Sequence, residues 1–237
     1  AKFAAIRQAI YSLRETKRLL TVNVYGLGAM THPGDLALVL QKAVTETLHK
    51  HKINIAVPTD YENYIEQIRQ NPEIWNHLIE THTALSSVVA NSDQLVESLS
   101  TGDLGIFHRV SDTLREAQLD IRLNNDNIKQ WLTEIQDRLA ELGTYNGLLI
   151  VWDEFTDVMT DAIGVPVLKQ LQEVAQKFMN EDSNSYIFLI SHPSAFNGVD
   201  SEQLKQTDGR YHRMKYNMES VSAFKIMSRK FDIIDKE

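Results

Sequence analysis

Gly147-Leu148-Leu149-Ile150-Val151-Trp152-Asp153-Glu154-Phe155 decides how the rest of the chain is read. Five apolar residues run directly into two adjacent carboxylates. A continuous apolar run bounded by glycine and charge reads as a strand buried on both faces, the habit of parallel sheets. Two acids at the carboxyl end of such a strand stand where open α/β sheets bind their ligands. A plainer reading competes: a helix that follows a strand often begins with acids, which suit its positive end.

The neighbouring stretches repeat the pattern. Downstream, a helix is expected near 162–180, carrying Val167, Leu168, Leu171, Val174, Ala175 and Phe178 at helical spacing. A second buried strand, Tyr186-Ile187-Phe188-Leu189-Ile190, then ends in Ser191-His192-Pro193. Upstream, Phe3, Ile6, Ile10 and Leu13 mark one face of a helix over 2–18, and Leu19 to Tyr25 reads as a buried strand. A glycine-containing loop, Gly26 to Gly34, leads to Asp35, a plausible N-cap for a helix bearing Leu36, Val39, Leu40, Ala43, Val44 and Leu48. Strands alternating with helices imply parallel pairing through right-handed crossovers.

Between 58 and 143 the character changes. Glycine nearly vanishes and helical periodicity dominates: Tyr61, Tyr64, Ile65 and Ile68; Ile74 through Leu95; Leu104, Phe107, Val110 and Leu114; Ile128, Trp131, Leu132, Ile135, Leu139 and Leu142. The expectation is an all-helical block of four or five helices, a helical hairpin or small bundle inserted between two strands of one sheet. Trp75 and Trp131 are expected in its core. The fold class is therefore α/β, with core segments 1–57 and 144–237 and a helical insertion at 58–143. Beyond the sheet, Arg210 to Asn217 reads as a short edge strand and Glu219 to Met227 as the start of a last helix.

Composition narrows the chemistry. With 237 residues, 43% apolar and 24% charged, the profile is that of an ordinary soluble globular chain with a sizeable core. No apolar run approaches the roughly 18 residues of a membrane span, and no charged-then-apolar leader opens the chain, so a cytoplasmic protein without a membrane partner is expected. The absence of cysteine excludes disulfides, thiolate metal sites and cysteine nucleophiles. A net charge of −8 argues against a nucleic-acid platform over the whole surface. Residues 205–230 run the other way, with seven Lys/Arg against two acids. His77 and His82 are five apart, off the spacing that aligns two metal ligands on one helix face.

The candidate site residues each carry a bland alternative. Ser191 and His192 put polar side chains at a strand's carboxyl end, or simply cap a turn before Pro193. Arg210 and Arg213 can meet phosphate, or pair with surface carboxylates at little gain. Asn23 interrupts an apolar strand, or is a buried amide satisfied by loop backbone.

Taken together, the helix at 2–18, the Asn-containing strand, the apolar run into Asp153-Glu154, the strand into Ser191-His192 and then Gly209-Arg210-Tyr211 resemble an AAA+-like P-loop ATPase of the additional-strand class. The likeness is closest to large bacterial phage-defence ATPases of the BREX type. It covers roughly 1–57 and 144–230 and implies a three-layer parallel-sheet core. In that family pattern Asp153 matches the Walker B aspartate that holds Mg²⁺ through water, and Glu154 the glutamate that orients the attacking water. Ser191 or His192 would be the polar sensor beside the γ-phosphate, and Arg210 an arginine finger acting across a subunit interface. Asn23 would hold the glutamate in check. ATP and Mg²⁺ are the implied cofactors. Other subunits or copies of the chain are the implied partners, with DNA reached through a larger assembly.

The chain departs from the pattern in one respect: it contains no G-x-x-x-x-G-K-[ST]. The Gly26–Gly34 loop lacks the lysine and follows a different strand. Because the first helix resembles the one after a P-loop, the phosphate loop is expected immediately before Ala1, and residues 1–237 are expected to be a fragment inactive by itself. The rival from another class is a degenerate NTPase fold kept as a scaffold for protein contacts.

Overall fold

The computed structural model describes residues 4, 7–8, 11–12, 15–25, 30–119, 128–160, 163–180 and 184–192. Three strands, β1 (Leu19–Val24), β2 (Gly147–Trp152) and β3 (Tyr186–Leu189), form a parallel sheet in the order β1-β2-β3. The strand carrying the apolar run into Asp153 is thus central. Register pairs Leu20 with Leu148, Val22 with Ile150 and Val24 with Trp152, and all six side chains are buried. The molecule is mixed α/β but mostly helical.

Burial on the other face departs from expectation. β2 is buried or half-buried along its length, as a central strand should be. Thr21 and Asn23 of β1 are exposed, and β3 alternates exposed and half-buried residues. These strands were expected to be buried throughout. Their apolar runs meet helices on one face only among the described residues, and β3 has a single strand neighbour there.

Helices follow the strands. α1 (Asp35–Lys50) packs on β1 and buries Leu36 through Gln41, Ala43, Val44 and Leu48. α2 (Asp60–Gln70), α3 (Pro72–Thr81), α4 (Thr83–Ser86), α5 (Ser92–Ser100), α6 (Leu104–Glu116) and α7 (Ile128–Glu141) lie between β1 and β2. α8 (Phe155–Thr160) and α9 (Gly164–Asn180) lie between β2 and β3. α7 packs on β2 and α9, with Gln136 accepting from Ser185 Oγ at 2.5 Å.

The helical block closes over its own core. Tyr61, Tyr64, Ile65 and Ile68 of α2 meet Trp75, Leu78 and Ile79 of α3, Leu95 and Leu99 of α5, and Phe107, Val110 and Leu114 of α6. The Phe107 ring lies 5.0 Å from that of Tyr61 and 4.8 Å from that of Tyr64. Leu38 of α1 belongs to the same cluster, so α1 serves sheet and block together. Caps fix the helix starts. Thr59 and Glu62 form a reciprocal capping box on α2, Asn91 Oδ1 accepts from Gln94 N–H on α5, and Asp103 Oδ1 accepts from Ile106 N–H on α6.

Three local expectations are corrected. The apolar stripe from Ile74 to Leu95 is broken into α3, α4 and α5. At the first break Thr81 Oγ1 donates to the His77 carbonyl, and His82 Nδ1 lies 3.1 Å from the Leu78 carbonyl oxygen, which also accepts the His82 N–H at 3.0 Å. Ile74, Val88 and Leu142, expected on buried stripes, are exposed among the described residues. Asp35 is the first residue of α1 and Gly34 its cap, so the Asp35 carboxylate is free to turn back on the preceding loop.

Candidate functional site at the carboxyl end of the sheet

Asp153 and Glu154 emerge from the central strand between the ends of both neighbours. Asp153 N–H donates to the Val24 carbonyl of β1 at 3.2 Å. On the other side Ile190 N–H donates to the Trp152 carbonyl at 2.8 Å, and Phe155 N–H to the Ile190 carbonyl at 2.9 Å. The turn is therefore stitched to β1 and to the end of β3 by backbone hydrogen bonds. Beneath it, Trp152 and Phe155 are buried, with ring centroids 5.3 Å apart and planes at 77°. The apolar residues on either side of the two acids thus form a fixed base from which both carboxylates project into solvent.

Backbone geometry at this turn is unusual. Glu154 has φ +58°, the left-handed region in which a residue with a Cβ is strained. Its N–H donates to Asp153 Oδ1 at 2.9 Å, so one carboxylate oxygen of Asp153 is occupied locally. The strand thereby changes into α8 at a single residue, and that residue is the second acid. Strain held between two anchored neighbours is a feature of sites under functional constraint.

The other expected residues fall into three groups. Ser191 and His192 follow β3 and reach the same turn, because His192 N–H donates to Thr156 Oγ1 at 2.7 Å. Their backbone is brought to the start of α8; Ser191 is half-buried and the His192 side chain exposed. Asn23 sits opposite Val151, two positions before Asp153, and is exposed, so it is not the buried amide that one reading expected. Arg210, and with it Arg213 and the basic 205–230 segment, lies outside the described residues.

The donors suit one cofactor better than the other. An exposed carboxylate with a free oxygen at a strand end fits a hydrated Mg²⁺, which needs few protein ligands. No group of three or more metal-binding side chains occurs among the described residues. The described segments leaving the three strands, 25, 30–35, 153–157 and 190–192, contain no lysine or arginine to grip phosphate. The glycine-containing Gly26–Ala29 stretch lies outside the described residues.

Sequence reasoning missed Thr156, the hydroxyl that ties β3 to α8, and the pairing of Asp35 with His108. A threonine two residues after an acid carries no signal of its own. His108 stands 73 positions from Asp35, and no local pattern joins them.

Compared with known families, with curated sequences and with solved structures, the chain has no significant match. The likeness to AAA+-like ATPases therefore rests on the residues quoted above.

Proposed function

We propose that Asp153 and Glu154 form the metal- and water-handling half of an ATP-hydrolysing site, within a P-loop-like three-layer core that carries the helical block as an insertion. One observation carries the reading: two exposed carboxylates at the carboxyl end of the central parallel strand, the second in a strained turn anchored to both neighbouring strands. In this reading Asp153 holds the hydrated Mg²⁺ and Glu154 orients the attacking water. Ser191 or His192 serves as the sensor, Asn23 restrains Glu154, and Arg210 completes the site from a neighbouring copy. The metal's contribution is to neutralise charge on the transferring phosphoryl group. The module would drive rearrangement of a larger bacterial assembly in phage defence or DNA handling, in the cytoplasm.

The rival, a non-catalytic scaffold, draws on the missing G-x-x-x-x-G-K-[ST] in the sequence. Phosphate release and ATP binding by the full-length protein separate the two. The ATPase reading expects Mg²⁺-dependent turnover that Glu154→Gln lowers at least about 100-fold, as for loss of a group acting in the transition state, while ATP binding stays within about threefold. Undiminished turnover in the variant sinks the assignment. A wild-type protein that neither binds nor hydrolyses ATP leaves the scaffold.

A further inference from the structure

The connection leaving β1 and the helical block meet at one buried carboxylate. Asp35 opens α1 with its side chain 3% exposed. Its Oδ2 accepts from Thr31 N–H at 2.9 Å and His32 N–H at 3.0 Å. Its Oδ1 accepts from His108 Nε2 at 2.6 Å; the carboxylate has no proton to give in its ionised form, so the imidazole is the donor. The His108 side chain is 33% exposed, on α6 of the helical block. A buried carboxylate is tolerated only while its donors are in place. The three donors therefore depend on one another through Asp35: two belong to the turn at 30–34 and the third to the block.

This turn is part of the route from β1 to α1. β1 ends at Val24, whose carbonyl accepts the N–H of Asp153. The connection that Asp35 holds thus starts at the strand end bordering the acidic turn. The block is fastened to the same helix at three further points. Leu38 enters its apolar core, Gln41 exchanges two hydrogen bonds with Asp60, and Lys42 Nζ donates to the Thr101 and Gly102 carbonyls at the α5–α6 turn. Those contacts hold α1 itself. Among the block's described contacts with α1, that of His108 is the one made to the carboxylate that shapes the turn.

We propose that His108 and Asp35 form a latch through which the helical block sets the conformation of the 30–34 turn that leads into α1. With α6 seated, Asp35 stays fully bonded and the 30–34 turn is closed. With α6 displaced, Asp35 loses a charge-assisted donor in a buried setting, turns toward water and releases the Thr31 and His32 amides. The latch stands whether or not the sheet edge binds nucleotide, because it is defined by α6, Asp35 and the turn.

Amide hydrogen exchange on the full chain tests it. In His108→Leu, exchange at Thr31 and His32 rises about tenfold or more, the equivalent of one lost charge-assisted hydrogen bond, while Val110 and Leu114 inside α6 keep their protection. In His108→Gln, whose amide can still donate, most of the protection at Thr31 and His32 returns. Unchanged exchange at these two amides in His108→Leu overturns the proposal. A rise spread evenly over α2 to α6 also overturns it, since that reports loosened packing rather than a latch. Should His108→Leu fail to fold, His108→Ala decides together with the Gln variant: the proposal requires faster exchange at both amides in the Ala variant than in the Gln variant, and equal protection in the two overturns it.

Discussion

The helical block and the sheet were built from equally apolar stretches, yet only the block is closed. Phe107 in α6 is 2% exposed and touches two tyrosine rings, whereas Phe188 in β3 is 48% exposed. In the block each helix has neighbours on its apolar side, so a stripe at helical spacing is enough to bury a residue. Among the described residues, helices cover one face of the sheet, and the same apolar character on the other face is half exposed. Stability is concentrated in the block and its shared helix α1, and the exposed chemistry at the strand ends. The acidic turn is held by few side-chain contacts and several backbone bonds, an arrangement that fixes its shape while leaving both carboxylates accessible.

The largest expected effect breaks or keeps this contrast directly. Phe107→Ala should destabilise the fold by about 3–5 kcal/mol, the cost of an aromatic cavity in a closed core. Phe188→Ala should cost roughly 1 kcal/mol, about half the transfer free energy of a fully buried ring. Denaturant unfolding of both variants measures the difference. Equal losses would mean that Phe188 is buried in solution and that the sheet is covered on both faces.

Many of the elements on both sides of this contrast could be read from residues alone, and the limits have physical causes. The stripes Tyr61-Tyr64-Ile65-Ile68 and Trp131-Leu132-Ile135-Leu139 were legible because a helix buries what its own spacing lines up. The three strands were legible from apolar runs ending in polar residues, but the central place of β2 came with the structure. The breaks at His82 and Asn91 were not legible, because they depend on side chains competing for backbone acceptors and donors within one turn. The exposure of Asn23 depends on which face the helices choose, which β1 by itself does not record. At the candidate site the two acids were evident. The strained backbone of Glu154, the Thr156 tie and the Asp35–His108 pair came only with the tertiary structure, since each requires residues from separate elements.

The strained turn sharpens the contrast between stability and chemistry. Glu154→Gly removes the Cβ that makes φ +58° costly, so it should stabilise the chain by about 1 kcal/mol. It also removes the carboxylate assigned to the water, so turnover by the full-length protein should be lost. Thermal melts and phosphate release read the two effects separately. A destabilised Gly variant would show that the Glu154 side chain supports the fold, and the strain would then have a structural purpose rather than a functional one.

The smallest expected effect lies inside the block. Tyr61 is 6% exposed, and its hydroxyl has no hydrogen-bond partner among the described residues. Burial, followed by the nearby charges of Asp103 and Asp35, pushes its ionisation well above the usual tyrosine value of 10.0. Near neutral pH the hydroxyl is protonated in both folded and unfolded chains, so its titration contributes no pH dependence there. As pH rises past 10.0 the unfolded chain releases the proton first, and stability is lost progressively toward the higher folded value. Tyr61→Phe removes an unsatisfied buried hydroxyl, so it should leave stability at pH 7 unchanged or raise it by up to about 1 kcal/mol. It should also flatten part of the alkaline loss. Tyr64 retains its own share, because burial raises its ionisation too, against the lowering effect of its bond to Ser111. Urea midpoints at pH 7 and above pH 10 test both parts. A Phe variant clearly weaker at pH 7 would show that the Tyr61 hydroxyl is satisfied in solution, and the block would then be less dry than its closed core implies.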